Sequence, residues 1–256
     1  MNGMIDSHAH VCGSELYPGW REITAQAKEA GIERIMIVCR DMEEAERALE
    51  LAAQEPMFDV ASGLYPNDIL KIPYEEWGRQ MELVRDPRVK AVGEIGMDYS
   101  FYETVVPKVL QKEVFVRQME LANEIGKPVI VHMRNATEDT RRYIKGHLKV
   151  PGIMHGYSGG YRAMSDFLDM GMYISFSPAV ILESETEDTR KVAEEVPLDR
   201  VLVESNAPFK APTSMTGKVH GPETVAGVVD YICRVKNMAK ETLVQAVYDN
   251  YRRLFF

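Results

Sequence analysis

VLQKEVFVRQMELANEIGKPVIVHMR, residues 109–134, holds one helical pattern followed by one strand pattern, and the fold is read from that pair. Residues 109–126 are amphipathic at helical spacing and close on Gly126, a residue that can end a helix. Residues 127–134 form a short apolar, β-branched run, as a buried strand does. The run ends on His132 and Arg134, polar side chains behind a stretch of Val and Ile.

The same alternation extends in both directions. Further strands are expected at 3–9, 33–39, 59–65, 89–96, 152–157, 172–177 and 200–205. Helical patterns fall at 20–31, 42–55, 74–86, 136–148, 161–170 and 186–195, and two more follow at 222–236 and 239–254. Strict alternation means parallel βα units. Eight such units in 256 residues is the size of an α/β (β/α)8 TIM barrel, here with an extra C-terminal helix. An open doubly wound sheet is the alternative, but its GxGxxG phosphate fingerprint is absent. No linker-like tract or composition break divides the chain, so residues 1–256 are expected to form one domain.

With 45% hydrophobic and 27% charged residues, the chain is an ordinary globular one with ample length for a core. No stretch approaches the roughly 20 apolar residues of a membrane span, and no secretory pattern opens the chain. Cys12, Cys39 and Cys233 are odd in number and form no CxxC pair, so a reduced, cytoplasmic setting is expected. The net charge of −9 lacks the basic footprint of a nonspecific DNA binder. It leaves nucleic acid open as a substrate, because bound divalent metals attract phosphate.

Four of the six histidines fall at expected strand C-termini: His8 and His10 at strand 1, His132 at strand 5, His155 at strand 6. Glu94 sits between two glycines in strand 4, and strand 8 ends on Glu204, Ser205 and Asn206. In a barrel these ends share one mouth, the face where active sites are built. In an extended strand Asp6, His8 and His10 project from one face. Each residue alone could be a satisfied core or strand-end group. Five of them at one end point instead to metal, because a histidine or glutamate inside an apolar strand needs a partner. Four imidazoles and a bridging carboxylate suit two cations about 3.5–4 Å apart that activate a water. Such donors favour Zn, Mn, Co or Ni over Mg. His147 is read as solvated on a surface helix, and His220 as a loop residue that could face the mouth.

These segments resemble the TatD-type metal-dependent hydrolases, a branch of the amidohydrolase superfamily, almost end to end. DSHAH (6–10) matches the family's DxHxH, and VGEIGMDY (92–99) is similar to its GEIGLDY. PVIVHMR (128–134), MHGYSGG (154–160), MYISFS (172–177), VLVESNAP (201–208) and DNYRRLFF (249–256) follow in the family's order. The resemblance implies a barrel enzyme with His8, His10, Glu94, His132 and His155 as metal ligands and Glu94 bridging. It implies a phosphodiesterase, in several members a DNase, acting through a metal-bound water. Amide or cyclic-amide hydrolysis on the same metals is the alternative. The expected partner is a phosphoester, nucleic acid ends included.

Two positions depart from the pattern. Tyr65 stands where the family's GxHP has histidine, and Asn206 where LETD has the aspartate that binds metal and handles the water's proton. An amide oxygen can ligate a metal but cannot accept that proton. Asn206 is therefore read in three ways: coordination alone acidifies the water, the protein binds more than it catalyses, or the residue is an engineered inactivation. Glu204 is either a substitute base or a hydrogen-bonding carboxylate, and Asp6 orients a ligand histidine or supports strand 1 from behind. Arg134, with Tyr65 and Lys210, is expected to bind substrate, a guanidinium fork suiting phosphate or carboxylate. Lys218 is a weaker candidate of the same kind.

Overall fold

The computed structural model describes residues 2–100, 106–178, 186–209 and 219–256. Lys210 and Lys218 lie outside the described residues. The strands are β1 (Met4–Ala9), β2 (Ile32–Cys39), β3 (Phe58–Ser62), β4 (Val89–Asp98), β5 (Val129–Arg134), β6 (Gly152–Met154), β7 (Met172–Phe176) and β8 (Val201–Val203). Between them run α1 (Trp20–Glu29), α2 (Met42–Gln54), α3 (Tyr74–Leu83), α4 (Lys108–Ile125), α5 (Thr137–His147), α6 (Tyr161–Asp169) and α7 (Glu187–Glu195). Two helices follow β8: α8 (Val225–Lys236) and α9 (Lys240–Phe255). Gly126 ends α4 at φ +69°, the left-handed geometry that glycine adopts without strain.

All neighbouring strands pair in parallel in the order β1 to β8. The seam between β8 and β1 is nearly closed by the segment beyond β8. Asn206 N–H donates to the His8 carbonyl at 2.9 Å, and His10 N–H donates to the Ala207 carbonyl at 2.7 Å. Ser7 on β1 and Ser175 on β7 meet across the interior at 3.0 Å. The strands are buried on both faces, as a helix-wrapped parallel barrel requires.

Strand ends differ from the expectation for physical reasons. β6 stops at Met154 because Gly156 turns the chain at φ +48°, although His155 N–H still reaches the Val131 carbonyl at 3.0 Å. β8 stops at Val203, and Asn206 lies at φ +53°, a region that Asn tolerates better than most residues. β4 runs two residues further than expected, to Asp98. At the opposite end of the barrel, Arg34 grips Asp59 through two hydrogen bonds of 2.8 and 2.6 Å, and Tyr251 of α9 donates to the same carboxylate at 2.7 Å. Asn250 of α9 donates to the Leu198 and Val201 carbonyls at 2.8 and 2.9 Å, which holds the extra helix under β8.

Candidate metal centre

Glu94 is brought to the centre by an irregularity in β4. Gly93 pairs with Ile130 and Ile95 with Val131, so Glu94 is an extra residue bulged from the β4–β5 ladder. A bulge re-aims a side chain. The flanking glycines permit it: a Cβ on Gly93 would sit 2.5 Å from Ile130 Cβ. Gly96 lies at φ +135°, where a Cβ would sit 2.1 Å from the His132 carbonyl oxygen.

The two oxygens of Glu94 face two histidine pairs. Oε1 lies 2.8 Å from His132 Nδ1 and 3.0 Å from His155 Nε2. Oε2 lies 3.6 Å from His8 Nε2 and 3.8 Å from His10 Nε2. His8 Nε2 and His10 Nε2 are 3.1 Å apart, and the His8 and His155 rings stack at 3.9 Å. Ligand atoms of His8, Glu94 and His155 all fall within 4.8 Å of one another, and all three residues are buried.

Three of the four rings are oriented from behind. His10 Nδ1–H donates to the Val38 carbonyl at 2.9 Å. His155 Nδ1–H donates to Glu204 at 2.8 Å, and His132 Nε2–H donates to Asp98 at 3.0 Å. Each bond leaves the other ring nitrogen facing the centre. His8 Nδ1 is buried without a hydrogen-bond partner among the described residues.

The charges fit a cation. Burial would raise the Glu94 carboxyl, but His155 and His132 outweigh it and hold it well below the usual carboxylate range. Burial would lower His155, yet Glu204 and Glu94 push it up to about 10. Burial keeps His8 well below its ordinary value and His10 down to about 4, so these two are neutral ligands at neutral pH. Nitrogen and carboxylate donors packed this closely suit a divalent transition metal, and the proton the carboxylates hold on His155 stands where that charge would go.

Of the other expected residues, Asn206 lies at the mouth with its backbone bonded to His8. Tyr65 stands edge-on to the His132 ring at 5.0 Å, and burial pushes its phenol above the ordinary range. Arg134 ends β5, half-buried, two residues past His132. Among the described residues Asp6 makes no hydrogen bond to an imidazole. Its Oδ1 accepts from Ser205 N–H at 2.9 Å and from His8 N–H at 3.2 Å, so it ties the β1–β8 seam. A register shift between Asp6 and Ala9 breaks the simple two-residue alternation read from DSHAH. His220 is fully buried and bonded to Phe209 and Thr224, so it does not face the mouth. His147 is half-buried rather than solvated, with its ring against Tyr143.

Sequence reasoning missed Asp98, Arg40 and Phe209. Asp98 and Arg40 stand at strand C-termini, so the rule that found the histidines also points to them. Phe209 lies in the segment after β8 with no such signal; its ring meets His10 edge-on at 5.0 Å.

Residues 5–256 match the family model described as TatD related DNase. The uncharacterized metal-dependent hydrolase YabD of Bacillus subtilis (strain 168) is 33% identical over 254 residues, covering 98% of each chain. The uncharacterized metal-dependent hydrolase YcfH of Escherichia coli (strain K12) is 32% identical over 260 residues, covering 98% of this chain and 95% of that one. The crystal structure of YjjV, a TatD homolog from Escherichia coli K12, superposes with a TM-score of 0.90 at 26% identity, covering 98% of this chain and 97% of that one. A match spanning nearly the whole chain, together with relatives a third identical end to end, makes this protein a member of the TatD related DNase family of metal-dependent hydrolases.

Proposed function

We propose that the chain is a phosphodiesterase of the deoxyribonuclease type that works with two divalent metals on nucleic acid ends or smaller phosphoesters. The observation that carries this reading is the division of Glu94, one oxygen toward His8 and His10 and the other toward His132 and His155. A carboxylate so divided can bridge two cations, and the family's description as a DNase supports the substrate class. Zn, Mn, Co or Ni suit the imidazole-rich donors better than Mg. Three free cysteines support a reducing, cytoplasmic setting, and among the described residues no helix is long and apolar enough to cross a membrane.

When bound, the metals supply Lewis acidity at the phosphoryl oxygen and a water acidic enough to ionise near neutral pH. The chain does the rest. His8, His10, His132 and His155 would hold the ions, while Val38, Glu204 and Asp98 fix three of the rings. Arg134 and Tyr65, at the rim, orient the phosphodiester. Glu204 Oε1 accepts from His155 Nδ1–H, which gives this carboxylate the role of orienting that ring. Asn206 can ligate or donate but cannot accept a proton at neutral pH, so it is no general base. Asn206 is also the observation that favours a second reading, a weak hydrolase that chiefly binds phosphoesters.

The test compares the wild-type protein with Asn206→Asp, both loaded with Mn or Zn, on bis-p-nitrophenyl phosphate, a short single-stranded oligonucleotide and a panel of amides. The Asp variant is expected to be faster on the phosphodiesters by about 100-fold or more, the usual worth of a placed general base. Cleavage of amides alone, or two metal-loaded but inert proteins, would sink the phosphodiesterase reading.

A further inference from the structure

Arg40 is the first residue past β2, at the same end of the barrel as the centre. Two residues earlier, the Val38 carbonyl accepts the Nδ1–H of His10. The guanidinium carbon stands 5.0 Å over the Phe209 ring centroid, and that ring meets the His10 ring at 5.0 Å. Arg40 lies within electrostatic reach of Glu94 and Tyr65. Burial disfavours its charge, but Glu44, Asp68 and Glu94 outweigh that and keep the guanidinium protonated.

Among the described residues its donors are under-used. Its ion contacts among the described residues are Glu44 Oε1 at 3.7 Å and Asp68 Oδ2 at 3.6 Å, both longer than a hydrogen bond. Nε is buried with no hydrogen-bond partner among the described residues. A buried N–H left unbonded is costly, and a guanidinium fork matches the non-bridging oxygens of a phosphate. β3 and β4 lie between β2 and β5, so Arg40 and Arg134 stand on either side of the strand that carries Glu94.

We propose that Arg40 anchors the substrate by donating to a non-bridging phosphate oxygen on the β2 side of the mouth, with the Phe209 ring bracing the guanidinium plane. The proposal rests on the phosphodiesterase reading for its substrate and on geometry for the anion site.

The experiment titrates inorganic phosphate calorimetrically into the Mn-loaded wild-type protein, Arg40→Met and Arg40→Lys. It also measures kcat and KM on bis-p-nitrophenyl phosphate, with circular dichroism and Tm as folding controls. Arg40→Met is expected to weaken phosphate binding and to raise KM by about 10- to 100-fold, the worth of a charged hydrogen bond. kcat should change by less than about threefold, because the contact exists before and during reaction alike. Arg40→Lys keeps the charge, loses the fork and recovers part of both losses. Wild-type phosphate affinity in a folded Arg40→Met overturns the proposal. If Arg40→Met does not fold, wild-type affinity and KM in Arg40→Lys overturn it instead. Arg40-dependent phosphate binding without phosphodiester cleavage upholds the anion site and overturns the phosphodiesterase reading alone.

Discussion

At the scale of single residues, the centre depends on carboxylates that would touch no metal. Asp98 and Glu204 each fix one imidazole through its far nitrogen, and both are buried. Asp98→Ala and Glu204→Ala are each expected to lower metal affinity by about 10- to 100-fold. Competition with a chromophoric chelator measures this, and unchanged affinity would show that the rings are held by packing alone. Asp6 gives a prediction about pH. Burial pushes its carboxyl up to about 7, against the Ser205 and His8 backbone donors that pull it down. A folded-state pKa above the unfolded one contributes stability below pH 4 that is lost as pH rises toward 7. In the metal-free protein, Asp6→Asn should therefore gain stability relative to the wild type between pH 4 and 7. Urea midpoints across that range, in chelator, would reveal a flat difference if Asp6 were ionised without cost.

At the scale of the element, β4 does the positioning. Its bulge sends Glu94 inward, and Gly96 sits at φ +135° against the His132 carbonyl. Gly96→Ala would force β4 and β5 apart where both carry site residues. It should cost more than about 2 kcal/mol and weaken metal binding together with stability. Denaturant unfolding paired with metal titration checks it, and a stable variant with normal affinity would show that the close approach is not needed. The β4 motif was legible because a glutamate between glycines is odd in an apolar strand. The bulge was not, since register depends on what the neighbouring strand offers. The same holds for β1, where the shift after Asp6 takes its carboxylate to the seam rather than to an imidazole.

At the scale of the whole molecule, the barrel separates chemistry from anchorage. His8, His10, His132, His155 and Glu94 gather at the C-terminal mouth, while Arg34, Asp59 and Tyr251 lock α9 to the other end. Tyr251→Phe removes one hydrogen bond to a buried carboxylate and should cost about 1–3 kcal/mol. Its kcat/KM should equal the wild-type value, because stability and activity reside at opposite ends of the barrel. A drop in kcat/KM at unchanged stability would contradict that separation.

The sequence by itself determined the order and type of the elements. Apolar β-branched runs alternating with amphipathic ones leave little choice but parallel βα units, and an ionisable residue inside such a run stands out because its burial is costly. It therefore marked His8, His10, Glu94, His132 and His155. Only the tertiary structure decided which atoms face one another: the two oxygens of Glu94 toward two histidine pairs, Asp98 and Glu204 behind the rings, and Arg40 beside Phe209 with Nε unbonded among the described residues. The reason is physical. Periodicity along one chain reports which side chains are buried, whereas a pair of ligands or an idle donor is set by strands far apart in sequence that closure brings to one mouth.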